Sequence, residues 1–303
     1  MNITNQYIVN AKLKHKGIIP FQSIPSSSTK VRVNDVRCIL NKKIKPFKKV
    51  SFNVNAISFH MICCPRGAFI MGAEDQRDNP KRTEQIEHSF LLGETEVTQE
   101  LYKAVMGYNE SAFNNDSKNP VEHVTWFDAV MFCNKLSQLL GKTTYYLVSN
   151  IKLLTEYKNE TQNIVSADVE INPNANGFRL PTEKEWEYAS KAGTQNKWAG
   201  CDSVEDLPVY AWFDENSKNS TNLVKTKESN EWGFYDMSGN VYEWCWDKYD
   251  SIYGKFRVCR GGCWEDDTEH SRSAYRTVQP PQRRNYYIGF RVSASLFNQN
   301  LKA

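Results

Sequence analysis

Gly177-Phe-Arg-Leu-Pro-Thr-Glu-Lys-Glu-Trp-Glu-Tyr-Ala189 is the most informative stretch of this 303-residue sequence. Thr182 stands just before a helical pattern, and Glu185 follows it three residues later. This is the capping-box arrangement, in which the two side chains satisfy each other's backbone N–H groups at a helix start. The stretch therefore predicts a helix over residues 183–192 that ends at Gly193.

Three charged residues of the same stretch allow two interpretations. Arg179, Glu183 and Glu187 could supply general acid and base groups. Alternatively, the glutamates belong to the helix and the arginine pairs with a carboxylate. We favour the structural interpretation, because capping and packing account for the neighbouring residues without any chemistry.

Three later segments complete a larger pattern: Gly233-Phe-Tyr-Asp-Met-Ser-Gly-Asn-Val-Tyr-Glu-Trp244, Arg257-Val-Cys-Arg-Gly-Gly-Cys-Trp264 and Ile288-Gly-Phe-Arg-Val292. In this order and spacing, the four segments resemble the formylglycine-generating enzyme, or sulfatase-modifying factor, family. The resemblance covers roughly residues 56 to 295. It implies the C-type-lectin-like fold of that family, which is an α+β fold, rich in loops, with short antiparallel strands and a few packed helices. Composition alone indicates only an α+β protein.

The resemblance also implies where catalysis would take place. Enzymes of the family use two cysteines that bind copper and oxidise a substrate cysteine, and these should follow the Gly261-Gly262 turn. The corresponding stretch, residues 264–276, contains no cysteine. Because Cys259 and Cys263 precede the catalytic positions, we assign no catalytic residue and expect no copper. An oxidoreductase that acts on a peptidyl cysteine with rearranged thiols is the alternative hypothesis.

A calcium site is expected in the loop that begins at Asp236. The side chains of Asp236 and Glu243 and the backbone carbonyls of Gly239 and Val241 offer oxygens at closely spaced positions. Calcium prefers six to eight oxygen ligands, backbone carbonyls included, and the family binds a structural calcium in this loop. The alternative is a metal-free turn held by hydrogen bonds of the Asn240 side chain.

The last segment mixes residues typical of a scaffold with chemically varied ones. It resembles the C-terminal variable segment of lectin-fold proteins that retroelements diversify, which implies a binding surface for a protein or glycan ligand over residues 264–287. Tyrosine and short polar residues suit such surfaces. The alternative is a set of solvated loops. The candidate ligand-binding residues are Glu265, Asp266, Asp267, His270, Tyr275, Thr277, Val278, Gln279, Arg283, Tyr286 and Tyr287.

The N-terminal 50 residues differ in charge from the rest of the chain. They hold 11 lysines or arginines and one acidic residue, whereas the remaining 253 residues hold 27 basic and 34 acidic ones. A basic extension of this kind can bind nucleic acid or another anionic surface, and then the protein would serve as a structural or regulatory partner. Residues 296–303 are expected to form a short tail.

No apolar run is long enough to span a bilayer, and no signal peptide is evident. We therefore expect a cytoplasmic protein, or an exported or cell-surface one if the true start site lies elsewhere. The eight cysteines show no paired spacing typical of zinc sites and are expected to be mostly reduced core residues.

Periodicity predicts the remaining elements. Thr98 is expected to cap a helix over residues 99–106, and Thr125-Trp-Phe-Asp128 is expected to open a second helix that Gly141 ends. Strands are expected at residues 31–40, 50–59 and 90–97, and a hairpin at 57–72 with its turn at 65–67. The polar stretch 142–176 is expected to be an insertion loop.

Overall fold

The computed structural model describes residues 47–153, 164–251 and 254–296. All of them belong to one compact unit. The strands are β1 (Lys49–Val54), β2 (Ile57–Cys64), β3 (Gly67–Met71), β4 (Arg82–Ile86), β5 (Phe90–Gly93), β6 (Tyr146–Leu153), β7 (Ile164–Ile171), β8 (Phe178–Arg179), β9 (Tyr242–Ser251), β10 (Gly254–Arg260), β11 (Arg276–Gln279), β12 (Ile288–Gly289) and β13 (Ser293–Ser295). The helices are α1 (Gln99–Met106), α2 (Trp126–Leu139), α3 (Glu183–Lys191) and α4 (Leu207–Tyr210).

A five-stranded antiparallel sheet, in the order β1-β2-β5-β13-β8, joins the start of the described chain to its end. Its neighbouring residues alternate between two apolar clusters. Met61 and Cys63 of β2 pack with the first cluster, whereas Ile62 and Cys64 pack with the second. Helices α1 and α2 cover the first face, and α3 covers the second. The sheet is therefore buried on both sides.

The three longer helices begin as their sequences predict. Thr98 accepts a hydrogen bond from the N–H of Leu101 at the start of α1. Thr125 and Thr182 both form capping boxes, with Asp128 and Glu185 respectively. Each box satisfies backbone N–H groups that a helix start leaves without intrahelical partners, and the three predicted helix starts are confirmed.

A second, four-stranded sheet has the order β11-β10-β9-β12 and carries the C-terminal segment. Strands β9, β10 and β11 are antiparallel, while β12 runs parallel to β9. Along β10, Val258 packs with the second apolar cluster and Cys259 with the first. The two sheets thus share both apolar clusters.

Three predictions about strands were wrong. Residues 50–59 form a hairpin, because Asn55 and Ala56 both adopt positive φ values, 47° and 70°, and turn the chain between β1 and β2. Residues 57–72 do not form one hairpin, since β2 pairs with β1 and β5 and β3 pairs with β4. The predicted insertion loop instead contains the β6–β7 hairpin.

Several predictions lie outside the described residues: the strand at 31–40, most of the basic N-terminal extension and residues 297–303 of the tail. The first sheet itself begins at Lys49. Within the described ranges, no helix combines the length and apolarity needed to cross a membrane.

Candidate ligand-binding surface

A pair of glycines starts the C-terminal segment. Gly261 and Gly262 have φ values of +100° and +75°, a region that residues with a side chain rarely adopt. A Cβ on Gly262 would lie 2.8 Å from the Cα of Ser271, so the returning chain packs directly against the turn. The turn therefore folds residues 263–275 back over the end of β10.

Buried ion pairs hold this segment to helix α3. The Arg260 guanidinium is fully buried and lies 2.6 Å from the carboxylate of Glu187. Arg260 also donates to the backbone carbonyls of Ser273 and Ala274, and Arg276 lies 2.9 Å from Glu183. Both helix carboxylates are thus paired with arginines. This geometry supports the structural interpretation of Glu183 and Glu187.

Aromatic rings form the centre of the surface. The Trp264 ring is buried, and its Nε1 donates to the carbonyl of Tyr286 over 3.3 Å. Tyr286 lies on top with 44% of its area exposed, and its ring centroid is 5.9 Å from that of Trp264 and 5.5 Å from that of Tyr287. Phe113, from the loop between α1 and α2, meets Trp264 edge to face at 5.3 Å.

Three acidic residues follow Trp264 directly in the chain. Asp267 accepts hydrogen bonds from the N–H of His270 and contacts its Nδ1 at 2.6 Å, and the His270 ring packs edge to face on Tyr275. Asp266 accepts from the N–H of Cys263 over 3.0 Å, so it also stabilises the turn. The Glu265 side chain is largely exposed, and partial desolvation of its carboxyl together with the neighbouring Asp266 raises its pKa.

Three candidate residues, Thr277, Val278 and Gln279, lie on strand β11, whose side chains alternate between two faces. Directly paired residues of antiparallel strands point to the same face. Thr277 pairs with Cys259, on the face where Tyr275 and Tyr287 pack, and Gln279 follows two residues later. Val278 pairs with Val258 and packs against the second apolar cluster. The structure therefore places Val278 away from the other candidates, and the period of two in strands could have separated it.

Arg283 is exposed beyond the end of β11. Burial raises the pKa of Tyr287. The positive charge of Arg283 lowers this pKa, and the negative charge of Glu265 raises it further. Arg283, Glu265 and the two adjacent tyrosines therefore share one part of the surface. Asp214 joins this part through its backbone, since its N–H donates to the carbonyl of Asp266 over 3.0 Å.

Sequence reasoning missed two residues of this surface. Phe113 comes from a loop far away along the chain, and Tyr242 lies beneath Tyr287 with ring centroids 6.2 Å apart. Tyr242 belongs to one of the quoted motifs, but no local pattern connects it with residues 264–287. Both contacts depend on tertiary packing.

The thiols near the turn are buried. Cys259 and Cys263 are 0% and 1% exposed, and burial is the main cause that raises the pKa of each thiol. A reactive cysteine needs thiolate character and access to the substrate. All seven cysteines in the described parts of the chain are buried, as expected for core residues.

The loop expected to bind calcium is built around an ion pair. Both carboxylate oxygens of Glu243 lie 2.6 Å from nitrogens of Arg291, and Trp186 also donates to one of them over 2.8 Å. Asp236 accepts from the N–H of Lys225, and its other oxygen has no partner in the described structure. Within the described ranges, no three histidine, cysteine, aspartate or glutamate side chains are arranged as a metal site.

This arrangement does not fit the predicted calcium role of Glu243, because the arginine already neutralises its charge and occupies both oxygens. Gly239 serves a packing role, since an added Cβ would lie 2.0 Å from the carbonyl oxygen of Trp212. Its N–H donates to the carbonyl of Gly261 over 2.8 Å. The side chain of Asn240 exchanges hydrogen bonds with the backbone of Asn222, as the alternative of a metal-free turn implies.

Comparison with known proteins identifies the family. The profile of the sulfatase-modifying factor enzyme 1-like domain matches residues 48–296. The chain belongs to the sulfatase-modifying factor enzyme 1-like family. Among solved structures it is similar to Treponema denticola variable protein 1, at 35% identity and a TM-score of 0.73 over 82% of this chain and 99% of that protein. The family's C-type-lectin-like fold is thereby confirmed.

Curated relatives of this family member carry different names. The chain is 35% identical over 207 residues to chaperone protein LppX of Paenibacillus barcinonensis, covering 61% of this chain and 73% of that protein. It is 29% identical over 144 residues to inactive C-alpha-formylglycine-generating enzyme 2 of Bos taurus, covering 39% of this chain and 44% of the relative. The chain thus spans less than half the length of that relative.

Proposed function

We propose that this family member is a non-catalytic protein that binds a protein or glycan ligand through the surface of residues 264–287. The observation that carries the proposal is a contrast at the Gly261-Gly262 turn. The two nearby thiols are buried, whereas Tyr286, Glu265 and Arg283 are exposed on a frame of buried ion pairs and aromatic rings. Such a frame keeps an exposed surface rigid, which lowers the entropic cost of binding.

The names of two similar proteins support this proposal. One solved structure is called a variable protein, and one curated relative is called inactive. The sequence alternative, an oxidoreductase with rearranged thiols, would require Cys259 and Cys263 to reach a substrate. Their burial disfavours that role.

The experiment is a screen of the purified chain on glycan and protein arrays, followed by affinity measurements with the ligand that it identifies. The Tyr286→Ala, Tyr287→Ala double variant should lose binding. Phe47→Ala is the matched control, because Phe47 is 47% exposed and packs on Trp232, in another part of the chain. Equal affinities of the double variant and the parent would refute the proposal.

We also keep, as separate predictions, that the basic N-terminal extension binds nucleic acid or another anionic partner and that the protein is cytoplasmic, or exported if the start site lies elsewhere. The contrast at the turn bears on neither of them. A gel-shift assay with and without residues 1–46 would test the first.

A further inference from the structure

The aromatic cluster of this surface extends beyond the C-terminal segment. Phe113 is half-buried, and its ring lies 5.3 Å from Trp264 and 6.2 Å from Tyr286, edge to face in both cases. Glu122 holds the Phe113 backbone, since its buried carboxylate accepts the Phe113 N–H over 2.9 Å. The loop between α1 and α2 therefore presents a fixed aromatic side chain to the same surface. We call Phe113, Trp264, Tyr286 and Tyr287 the aromatic platform.

Cations stand over many aromatic rings elsewhere in the described structure. Arg257 lies 3.7 Å from the centroid of Trp126, and Lys227 lies 3.9 Å from that of Trp212. None of the cation–π contacts among the described residues involves a ring of the aromatic platform. The exposed ring of Tyr286 and the half-buried rings of Phe113 and Tyr287 can thus receive a positive group from a ligand.

Glu265 follows Trp264 in the chain and brings a negative charge to the platform near Tyr287. Among the described contacts, the exposed side chain of Glu265 makes neither a hydrogen bond nor an ion pair. The exposed side chain of Asp214 also makes neither. Asp267 is 56% exposed and paired only with His270. Aromatic faces next to unpaired carboxylates are the combination that attracts lysine and arginine side chains.

We propose that the aromatic platform and Glu265 together bind a lysine or arginine side chain of a protein ligand, with Phe113 as a binding residue contributed from outside the C-terminal segment. This inference rests on the proposed function and narrows it. Charge complementarity favours a basic protein segment over a glycan, because a neutral sugar would leave the carboxylates unpaired. Arg283 lies in the same part of the surface, and its positive charge weakens the attraction of a ligand cation.

The test measures binding of a short oligolysine peptide, a matched oligoglutamate peptide and a neutral maltooligosaccharide by calorimetry at low and high salt. Oligolysine should bind, and its affinity should fall with salt because exposed charges are screened. Phe113→Leu, which keeps apolar volume but removes the ring, and Tyr286→Ala should each weaken binding by roughly 2- to 30-fold.

Two charge variants give opposite expectations. Glu265→Gln should weaken oligolysine binding and Arg283→Gln should strengthen it, each by roughly 2- to 5-fold. Phe47→Ala should change nothing. Melting temperatures of all variants report whether each one is folded.

Three results would overturn the inference. If neither Phe113→Leu nor Tyr286→Ala changes the affinity for oligolysine, the cation binds elsewhere on the chain. If oligoglutamate or the saccharide binds, and Tyr286→Ala abolishes that binding, the ligand-binding surface is supported but its preference for cations is contradicted. Absence of oligolysine binding would contradict the cation site, while the array screen decides separately whether the surface binds any ligand.

Discussion

Replacing Glu122 by glutamine should flatten the pH dependence of stability. The Glu122 side chain is fully buried; one oxygen accepts the Phe113 N–H, and the other has no partner within the described residues. Burial raises the pKa of this carboxyl from its usual 4.5 to about 7, against the lowering effect of the backbone N–H groups of Phe113 and Ala112. The folded state therefore binds this proton more tightly than the unfolded chain does.

The sign and size of the effect follow from that difference. A carboxyl whose pKa is raised on folding contributes stability that is fully present below its unfolded pKa and is lost as the pH rises through its folded pKa. For Glu122 the loss falls between about pH 4.5 and pH 7. At about 1.4 kcal/mol per pKa unit, it amounts to roughly 3 kcal/mol.

The assay is urea unfolding followed by tryptophan fluorescence at several pH values between 5 and 8. The difference in unfolding free energy between Glu122→Gln and the parent should move in favour of the variant by roughly 2–3 kcal/mol over this range. Glu215→Gln removes the same charge at an exposed site and is the control. Parallel pH profiles for the parent and Glu122→Gln would refute the reasoning.

Further predictions concern the buried charges and the thiols. Arg291→Met should destabilise the fold by about 3–5 kcal/mol in denaturant titrations, because it leaves the buried Glu243 without its arginine. The control Arg283→Met should change the unfolding free energy by no more than about 0.5 kcal/mol. Similar effects of the two variants would argue against the buried pair. Calcium should leave the melting temperature unchanged in scanning calorimetry, and a rise that Asp236→Asn removes would contradict the ion-pair account of this loop. With copper present, mass spectrometry of a cysteine-containing sulfatase peptide should show no conversion to formylglycine, because Cys259 and Cys263 are buried; a product would revive the oxidoreductase hypothesis.

Helix starts could be predicted from the sequence because their signals are local. Thr125 and Asp128 lie within one turn of each other, and their reciprocal hydrogen bonds need no other part of the chain. The strands were harder to predict. The register of β6 and β7 shifts between Ser149 and Lys152, and that irregularity breaks the alternation that would have revealed a hairpin. Leu147 and Ile151 are also exposed on this hairpin, so burial did not follow hydrophobicity there.

The composition of the candidate surface could be proposed from the sequence, but its internal organisation could not. Motifs indicated where the turn lies and which exposed residues follow it. The pairing of Glu243 with Arg291 and the approach of Phe113 to Trp264 arise between segments that are distant along the chain. Single residues of such pairs carry no local signal, so only the folded structure distinguishes an ion-paired glutamate from a metal ligand.

The most direct test of the binding surface is hydroxyl-radical footprinting of aromatic side chains, with and without the ligand identified on the arrays. The readout is the oxidation rate of each residue. Ligand should slow the oxidation of Tyr286, which is 44% exposed, and leave that of Phe47, which is 47% exposed, unchanged. Unchanged oxidation of Tyr286 in the presence of saturating ligand, or selective protection of Phe47, would contradict a binding surface at residues 264–287.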